Sequence, residues 1–210
     1  MPMSFFPDVP AQPQAEDEDD ARFPDAGWEG PPWHVRPGEA ALSVVFGRSA
    51  STVVSVGGVH AYPEGLVLGL VVQVRETGRE ARRRVFAYLE RAHGRGQLDL
   101  DWRPGGLRWG VGLSDGRRVT TLHASPWAGE RPSTGDAANW FPDHPVLEPV
   151  GRPSGSRDIW RRDVWLWPLP PEGPVTLVCE WTDRGISETT VEIDAAPMRL
   201  AAAQAELLWP

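Results

Sequence analysis

Lysine is absent from the 210-residue chain, and Asn139 is its sole asparagine. The codons of both residues are AT-rich, so their scarcity indicates a genome of high GC content, and the 21 arginines carry correspondingly little functional weight. Cys179 is the only cysteine, which excludes an intrachain disulfide. The longest apolar-rich stretch, 65–74, is about half as long as a membrane-spanning helix, and the first residues lack a secretory signal pattern. We therefore expect a cytoplasmic protein without membrane segments.

Negative charge is concentrated at the N-terminus. Residues 1–30 hold eight acidic residues and one arginine, whereas the remaining residues hold 21 acidic residues and 20 arginines. The rest of the chain is therefore close to neutral, and the short basic run 82–84 does not indicate a nucleic-acid surface. Residues 1–35 are also rich in proline and lack periodicity, which predicts a flexible acidic tail. The aromatic residues Trp28 and Trp33 within it predict either docking onto the domain or a short recognition motif.

Most of the chain after residue 36 alternates between apolar and polar residues with a period of two, which is typical of β-strands. The predicted strands lie at 39–46, 52–62, 66–75, 98–102, 107–113, 119–122, 158–167, 175–181 and 188–194. Gly57 and Gly58 predict a bulge in the second of these strands. Asp115 and Gly116, between two alternating runs, predict a tight hairpin turn.

Two segments have helical spacing of apolar residues, and one has little periodicity. Residues 80–93 predict a helix with an arginine-rich outer face, with a strand across 84–89 as the alternative, and residues 195–208 predict a C-terminal helix. Residues 123–157 predict a long loop. The fold predicted from this pattern is mainly β: an antiparallel β-sandwich, immunoglobulin-like or jelly-roll-like, in a single domain spanning 36–210.

Two stretches carry a resemblance, "VGLSDGRRVTTL" and "WLWPLPPEGPVTLVCEWTDRGISET". In these stretches the second half of the chain resembles uncharacterised proteins of high-GC actinobacteria. The resemblance implies an all-β body and no particular activity. Both stretches consist of turn and core positions rather than groups that carry chemistry.

No set of residues predicts catalysis or a resident cofactor. Cys179 alternates with apolar residues in a strand, as a buried structural thiol does. Ser114 matches the letters of a Gly-x-Ser-x-Gly elbow, but a strand follows it where a hydrolase has a helix. The weak candidates for metal ligands, His123, Asp136, Asp143 and His144, lack the close spacing that zinc sites use, so we predict no metal.

The eleven tryptophans are the most suggestive feature of the composition. Most fall at inward strand positions and indicate a core. Those outside the regular strands, and a strand face near the long loop, are the better candidates for a surface that binds another molecule. The candidate binding residues are Trp28, Trp33, Trp127, Trp140, Trp160 and Arg162.

These observations favour a non-enzymatic protein that binds another protein. One alternative is a hydrolase or small-ligand-binding protein with a site under the loop 123–157. Another is a structural subunit whose sheet edges pair between copies, and in that case the protein forms a homo-oligomer. The pattern predicts neither a nucleic-acid partner nor a membrane partner.

Overall fold

The computed structural model describes residues 26–76, 78–93, 104–128 and 140–209. Within them the chain is mainly β, with antiparallel sheets and two helices, as the alternation predicts. The predicted strand at 98–102 and the candidate ligand Asp136 lie outside the described residues. The strands are β1 (Val35–Arg36), β2 (Gly38–Arg48), β3 (Thr52–Ala61), β4 (Leu66–Val74), β5 (Arg108–Gly112), β6 (Arg118–Thr120), β7 (Val146–Ser156), β8 (Ile159–Trp167), β9 (Pro174–Trp181), β10 (Ile186–Asp194) and β11 (Glu206–Leu207); the helices are α1 (Arg79–His93) and α2 (Ala196–Ala202).

Three antiparallel sheets organise the described strands. The largest has the order β2-β3-β4-β8-β7, the second has the order β10-β9-β5-β6, and β1 and β11 form a two-stranded ribbon. Alternate residues of β9, such as Leu177 and Cys179, are buried, whereas those between them are partly exposed. These residues join Val54, Leu70 and Trp160 of the five-stranded sheet in one hydrophobic cluster. The two larger sheets therefore share a single core.

The glycines of β3 form the bulge that the sequence predicts. The pairing of β3 with β4 shifts register between Val56 and Val59, so that Gly57 and Gly58 occupy the irregular position. Gly58 has a φ of 100°, a backbone conformation that residues with a β-carbon rarely adopt. The bulge therefore depends on glycine at this position.

Helix α1 confirms the helical prediction for residues 80–93. Tyr88 and Leu89 are buried in the shared core, whereas Arg83 and Arg84 are exposed. The hairpin turn predicted at Asp115 and Gly116 is also present, and it joins β5 to β6. The Asp115 carboxylate accepts a hydrogen bond of 3.1 Å from the backbone N–H of Arg117, which closes the turn.

The prediction of a loop across 123–157 is wrong in its second half, because residues Val146–Ser156 form β7. Pro149, Gly151 and Pro153 obscure the alternation there. The strand accommodates them because it lies at the edge of the five-stranded sheet and shifts register between Val150 and Ser154. An edge position and a bulge are the places where proline is tolerated in a sheet.

The C-terminal helix is shorter than the predicted 195–208. Helix α2 ends at Ala202, and residues Glu206–Leu207 form β11 instead. Strand β11 pairs with β1, with Leu207 opposite Val35. A pairing between residues so far apart in the chain leaves no local pattern for sequence reasoning to detect.

The N-terminal boundary also differs from the prediction, which placed a flexible tail at 1–35. Trp28 is fully buried, and Ala26 is buried beside it. Residues 33 and 34 form a turn that leads into β1 at Val35. The packed part of the chain therefore begins at or before residue 26, ten residues earlier than predicted. Residues 1–25 lie outside the described residues.

Candidate functional site

Three of the candidate tryptophans meet on one side of the five-stranded sheet. The ring centroid of Trp28 lies 5.1 Å from that of Trp127 and 5.3 Å from that of Trp140, the second pair edge-on. The indole N–H of Trp28 donates a 3.1 Å hydrogen bond to the carbonyl of Trp140. Trp28, Ala26 and Val146 form a small core of their own, with Trp140 and Trp167 packed against it. We call Trp28, Trp127 and Trp140 the tryptophan cluster.

A tryptophan of β8 attaches the N-terminal segment to the sheet. The indole N–H of Trp165 donates a 3.1 Å hydrogen bond to the carbonyl of Gly27, and its ring contacts Tyr62 edge-on at 5.6 Å. Trp165 is fully buried, although it points away from the core shared by the two sheets. The segment that carries Trp28 therefore covers this part of the sheet.

A buried carboxyl group lies beside Trp165. Glu148 of β7 is directly opposite Trp165 in the sheet, and its Oε1 has no hydrogen-bond partner in the described structure. Burial raises the pKa of Glu148, against a smaller lowering effect of the Ser125 side chain. The Ser125 hydroxyl accepts the backbone N–H of Trp127 at 3.3 Å, at the start of the short turn Pro126–Ala128 that carries Trp127.

The fourth candidate outside the strands, Trp33, lies on the β1–β11 ribbon. Its ring is 5.5 Å from that of Trp209, in register with the pairing of Val35 with Leu207. The backbone N–H of Leu208 donates a 2.9 Å hydrogen bond to the carbonyl of His34, so Trp33 and Trp209 lie directly beyond the paired residues Val35 and Leu207 at one end of the ribbon. Trp33 is 50% exposed, Leu207 68% and Trp209 58%. We call these four residues the ribbon face.

A cleft of about 270 Å³ runs beside the ribbon face. Its lining includes Val35 and Leu207, His34, residues of the segment from Ala26 to Pro32, and Glu64 in the turn between β3 and β4. The Glu64 carboxylate lies against Gly27, in the space that a β-carbon there would occupy. The Glu64 side chain is exposed to solvent. The cleft therefore joins an apolar surface to a carboxylate.

The remaining two candidates are core residues, so the prediction of an exposed face around Trp160 and Arg162 is wrong. Trp160 is fully buried in the shared core, and Arg162, two residues along β8, is only 3% exposed. One guanidinium nitrogen of Arg162 donates a 2.7 Å hydrogen bond to the carbonyl of Gly151, and its Nε has no partner in the described structure. The prediction placed this face at the surface because it lies near the predicted long loop, whereas both side chains are buried.

Replacing Arg162 with methionine should raise the free energy of unfolding by about 1 kcal/mol. Burial lowers the pKa of Arg162, which shows that its charged form is disfavoured there. Methionine keeps an unbranched apolar stem, and the exposed Gly151 can offer its freed carbonyl to water. Urea denaturation measures the change, with Arg161→Met on the exposed face of β8 as the control. A loss of stability in Arg162→Met alone would instead assign the guanidinium a structural role at the β7 bulge.

The weak metal candidates are engaged in turns rather than in a shared site. Nδ1 of His123 accepts the backbone N–H of Thr120 at 3.0 Å, and the ring of His144 lies 3.1 Å from the carbonyl of Pro145. Over the described ranges, no three His, Cys, Asp or Glu side chains are grouped as metal ligands would be. His123, Asp143 and His144 are therefore not brought together.

The two nucleophile candidates have structural contacts. Cys179 is fully buried, and burial raises the pKa of its thiol to about 12. A β-carbon at Gly47 would approach the Cys179 sulfur to 2.7 Å, so the thiol fills the space that this glycine leaves. The Ser114 hydroxyl donates a 2.7 Å hydrogen bond to the carbonyl of Glu172, linking two turns. Neither group has the environment of an activated nucleophile.

Leu207 and Trp209 are the surface residues that sequence reasoning missed. The run of apolar residues at 207–209 follows helix α2; the predicted helix 195–208 includes Leu207, whereas Trp209 lies just beyond its predicted end. Gln204, Ala205 and Glu206 separate the helix from that run. A run of apolar residues after the last helical turn is the signal that could have revealed them.

No protein-family model, curated protein or solved structure matches the chain. Neither helix in the described part of the chain is long and apolar enough to cross a membrane. The functional interpretation therefore depends on the geometry of the ribbon face, the adjoining cleft and the tryptophan cluster.

Proposed function

We propose that this protein is a cytoplasmic, non-enzymatic binding protein that recognises another protein through the ribbon face. The observation that carries the proposal is the grouping of Trp33, Leu207 and Trp209, each at least half exposed, at one end of a two-stranded ribbon. Exposed apolar patches of this kind are unusual on monomeric proteins and mark interaction surfaces. Tryptophan is also the residue most enriched among those that dominate binding energy.

The scaffold that we propose for this surface is a β-sandwich of immunoglobulin-like or jelly-roll-like type. Support comes from the core that the five-stranded and four-stranded sheets share. The ribbon lies outside both sheets in the hydrogen-bonding order, so its apolar residues are not required to close that core. Leu207 and Trp209 accordingly belong to no hydrophobic cluster within the described structure.

The proposal predicts that a ribbon-face variant loses its partner but keeps its fold. The variant combines Leu207→Ser with Trp209→Ser, and its matched control is Leu200→Ser, which removes an equally exposed leucine from helix α2. Each protein serves as bait in native-host extract, and bound proteins are quantified by mass spectrometry. We expect a protein retained by the wild type and the control to be retained at least about tenfold less by the ribbon-face variant.

Two control measurements test whether loss of binding results from unfolding or from loss of self-association. Denaturation curves should show that the ribbon-face variant changes the free energy of unfolding by less than about 1 kcal/mol, as exposed positions usually do. Light scattering reports whether the chain associates with itself. Equal retention by all three baits would contradict the proposal. Self-association lost in the ribbon-face variant would replace it with the structural-subunit alternative.

A further inference from the structure

A second cleft, of about 400 Å³, lies between helix α1 and the short turn Thr182–Arg184 that follows β9. The residues that line it from the helix share one face of α1, at positions i, i+4 and i+7: Arg84, Tyr88 and Arg91. Those that line it from the other side lie at the end of β9 and in the turn: Trp181, Asp183 and Arg184. A cleft of this volume holds one small organic molecule. No ribbon-face residue lines it, so the two surfaces are separate.

Positive charge is concentrated at this cleft, although the whole chain has a net charge of −8. Three arginines line it, against one carboxylate, that of Asp183. Glu76 lies 2.5 Å from the Arg184 guanidinium, and the arginines still outnumber the two carboxylates when it is counted. Arg84 is exposed and forms no ion pair or hydrogen bond with the described residues. The field in the cleft therefore favours an anion.

Arg184 is held in place before any ligand binds. Its Nε donates a 2.8 Å hydrogen bond to the Thr52 hydroxyl, and one terminal nitrogen donates a 3.2 Å bond to the Ser51 hydroxyl. The other terminal nitrogen contacts the carboxylate of Glu76. Each terminal nitrogen of a guanidinium carries two N–H groups, so each retains one beyond these bonds. Arg184 thus keeps two donors on a side chain that is already ordered, which reduces the entropy lost on binding.

The apolar part of the cleft is aromatic. The rings of Tyr88 and Trp181 are 6.0 Å apart and both side chains are buried, with the half-buried Val85 also in the lining. The indole N–H of Trp181 has no acceptor in the described structure. A buried donor without an acceptor is costly. The lining is therefore rich in donors and poor in acceptors, which is the complement of an oxyanion.

We infer that this cleft binds a small organic anion, a molecule that joins a phosphate or carboxylate group to an apolar ring. The oxyanion contacts Arg84 and Arg184, because the forked donors of arginine match the oxygens of either group. The ring packs against the apolar side of the cleft at Val85. A nucleic-acid strand is disfavoured, since both Asp183 and the net charge of the chain repel a polyanion.

Titration calorimetry on the full-length protein tests this inference with four probes: phenyl phosphate, benzoate, inorganic phosphate and benzyl alcohol. We expect the better of the two organic anions to bind with a dissociation constant below about 1 mM. It should bind at least about tenfold more tightly than the uncharged benzyl alcohol, with an affinity that falls as NaCl is raised. Tighter binding of phenyl phosphate assigns the oxyanion as a phosphate, and tighter binding of benzoate assigns it as a carboxylate.

Arg84→Gln and Arg83→Gln form a matched pair of variants. Both remove one positive charge from an exposed position of α1, but only Arg84 lines the cleft. Arg84→Gln should weaken binding of the tighter organic anion about tenfold, whereas Arg83→Gln should weaken it less than about twofold. Glutamine keeps a helix propensity close to that of arginine, and circular dichroism checks that both variants retain the fold.

Four outcomes would overturn the inference. The first is that neither organic anion binds. The second is equal weakening in the two variants, because binding would then reflect the charge of the helix surface rather than the cleft. The third is that benzyl alcohol binds as tightly as the anions, and the fourth is that inorganic phosphate binds as tightly as phenyl phosphate, which would remove the apolar ring. Leu207→Ser with Trp209→Ser should bind the probes as the wild type does, since the ribbon face is a separate surface.

Discussion

Replacing Trp28 with alanine will lower the free energy of unfolding by about 3–5 kcal/mol, the cost typical of removing a buried tryptophan. Trp28 is fully buried, packs against Trp127 and Trp140, and bonds the carbonyl of Trp140 through its indole N–H. Alanine removes all of these contacts and leaves a cavity between the N-terminal segment and the sheet. Chemical denaturation monitored by circular dichroism measures the effect.

The matched control for this prediction is Trp33→Ala, five residues further along the same segment. Trp33 is half exposed, so its replacement should cost less than about 1 kcal/mol. Similar small losses from both variants would show that residues 26–33 contribute little to the fold. That result would support the sequence-based prediction of a flexible tail at 1–35.

The stability of the protein should fall by about 3 kcal/mol as the pH drops from 6.5 to 4, on account of one histidine. His93 is the last residue of α1 and is buried, with its Nε2 lacking a partner in the described structure. Burial lowers the pKa of His93 from 6.5 to about 4, against a smaller raising effect of a bond to the backbone of Leu107. Between these two pH values the unfolded chain binds a proton that the folded chain excludes. Acid therefore favours unfolding, and the full contribution is present above pH 6.5.

Comparing the wild type with His93→Gln isolates this effect. The variant should lose about 3 kcal/mol less than the wild type between pH 7 and pH 4 in urea titrations at each pH. Glu148 acts in the opposite direction, because burial raises the pKa of its carboxyl and acid then favours the folded state. That contribution is common to both proteins and cancels in the comparison. His60→Gln, at an exposed position of β3, is the control, and an unchanged pH dependence in His93→Gln would contradict the assignment.

Period-two alternation was sufficient to predict most of the strands. Residues 66–75 and 158–167 were predicted nearly to their ends, because apolar side chains on a half-buried strand must recur at every second position. Helix α1 followed from apolar residues at helical spacing in the same way. Where the spacing of apolar residues reflects burial directly, the sequence alone predicts the strand or helix.

The errors share a different physical origin. Strand β7 contains prolines that only its edge position makes acceptable, and an edge position is a property of the whole sheet. Arg162 is buried because its strand is central, although its charge suggests the surface. The ribbon depends on two pairs of residues, Val35 with Leu207 and Arg36 with Glu206, from opposite ends of the described chain. Such long-range pairings carry no local signature. Of the ribbon-face residues, the sequence therefore predicts only Trp33 as a binding candidate.

The ribbon also determines where a tag or fusion partner can be placed. The chain enters the described fold through the segment before β1 and leaves it after β11, and the two strands are hydrogen-bonded to each other. An affinity tag, fluorescent protein or immobilisation linker joined to the chain directly after β11 would therefore begin beside the ribbon face and cover part of it. The exposed turn at Asp115 and Gly116 connects β5 and β6 within a different sheet. A short internal epitope inserted there is the labelling strategy that leaves the proposed binding surface uncovered.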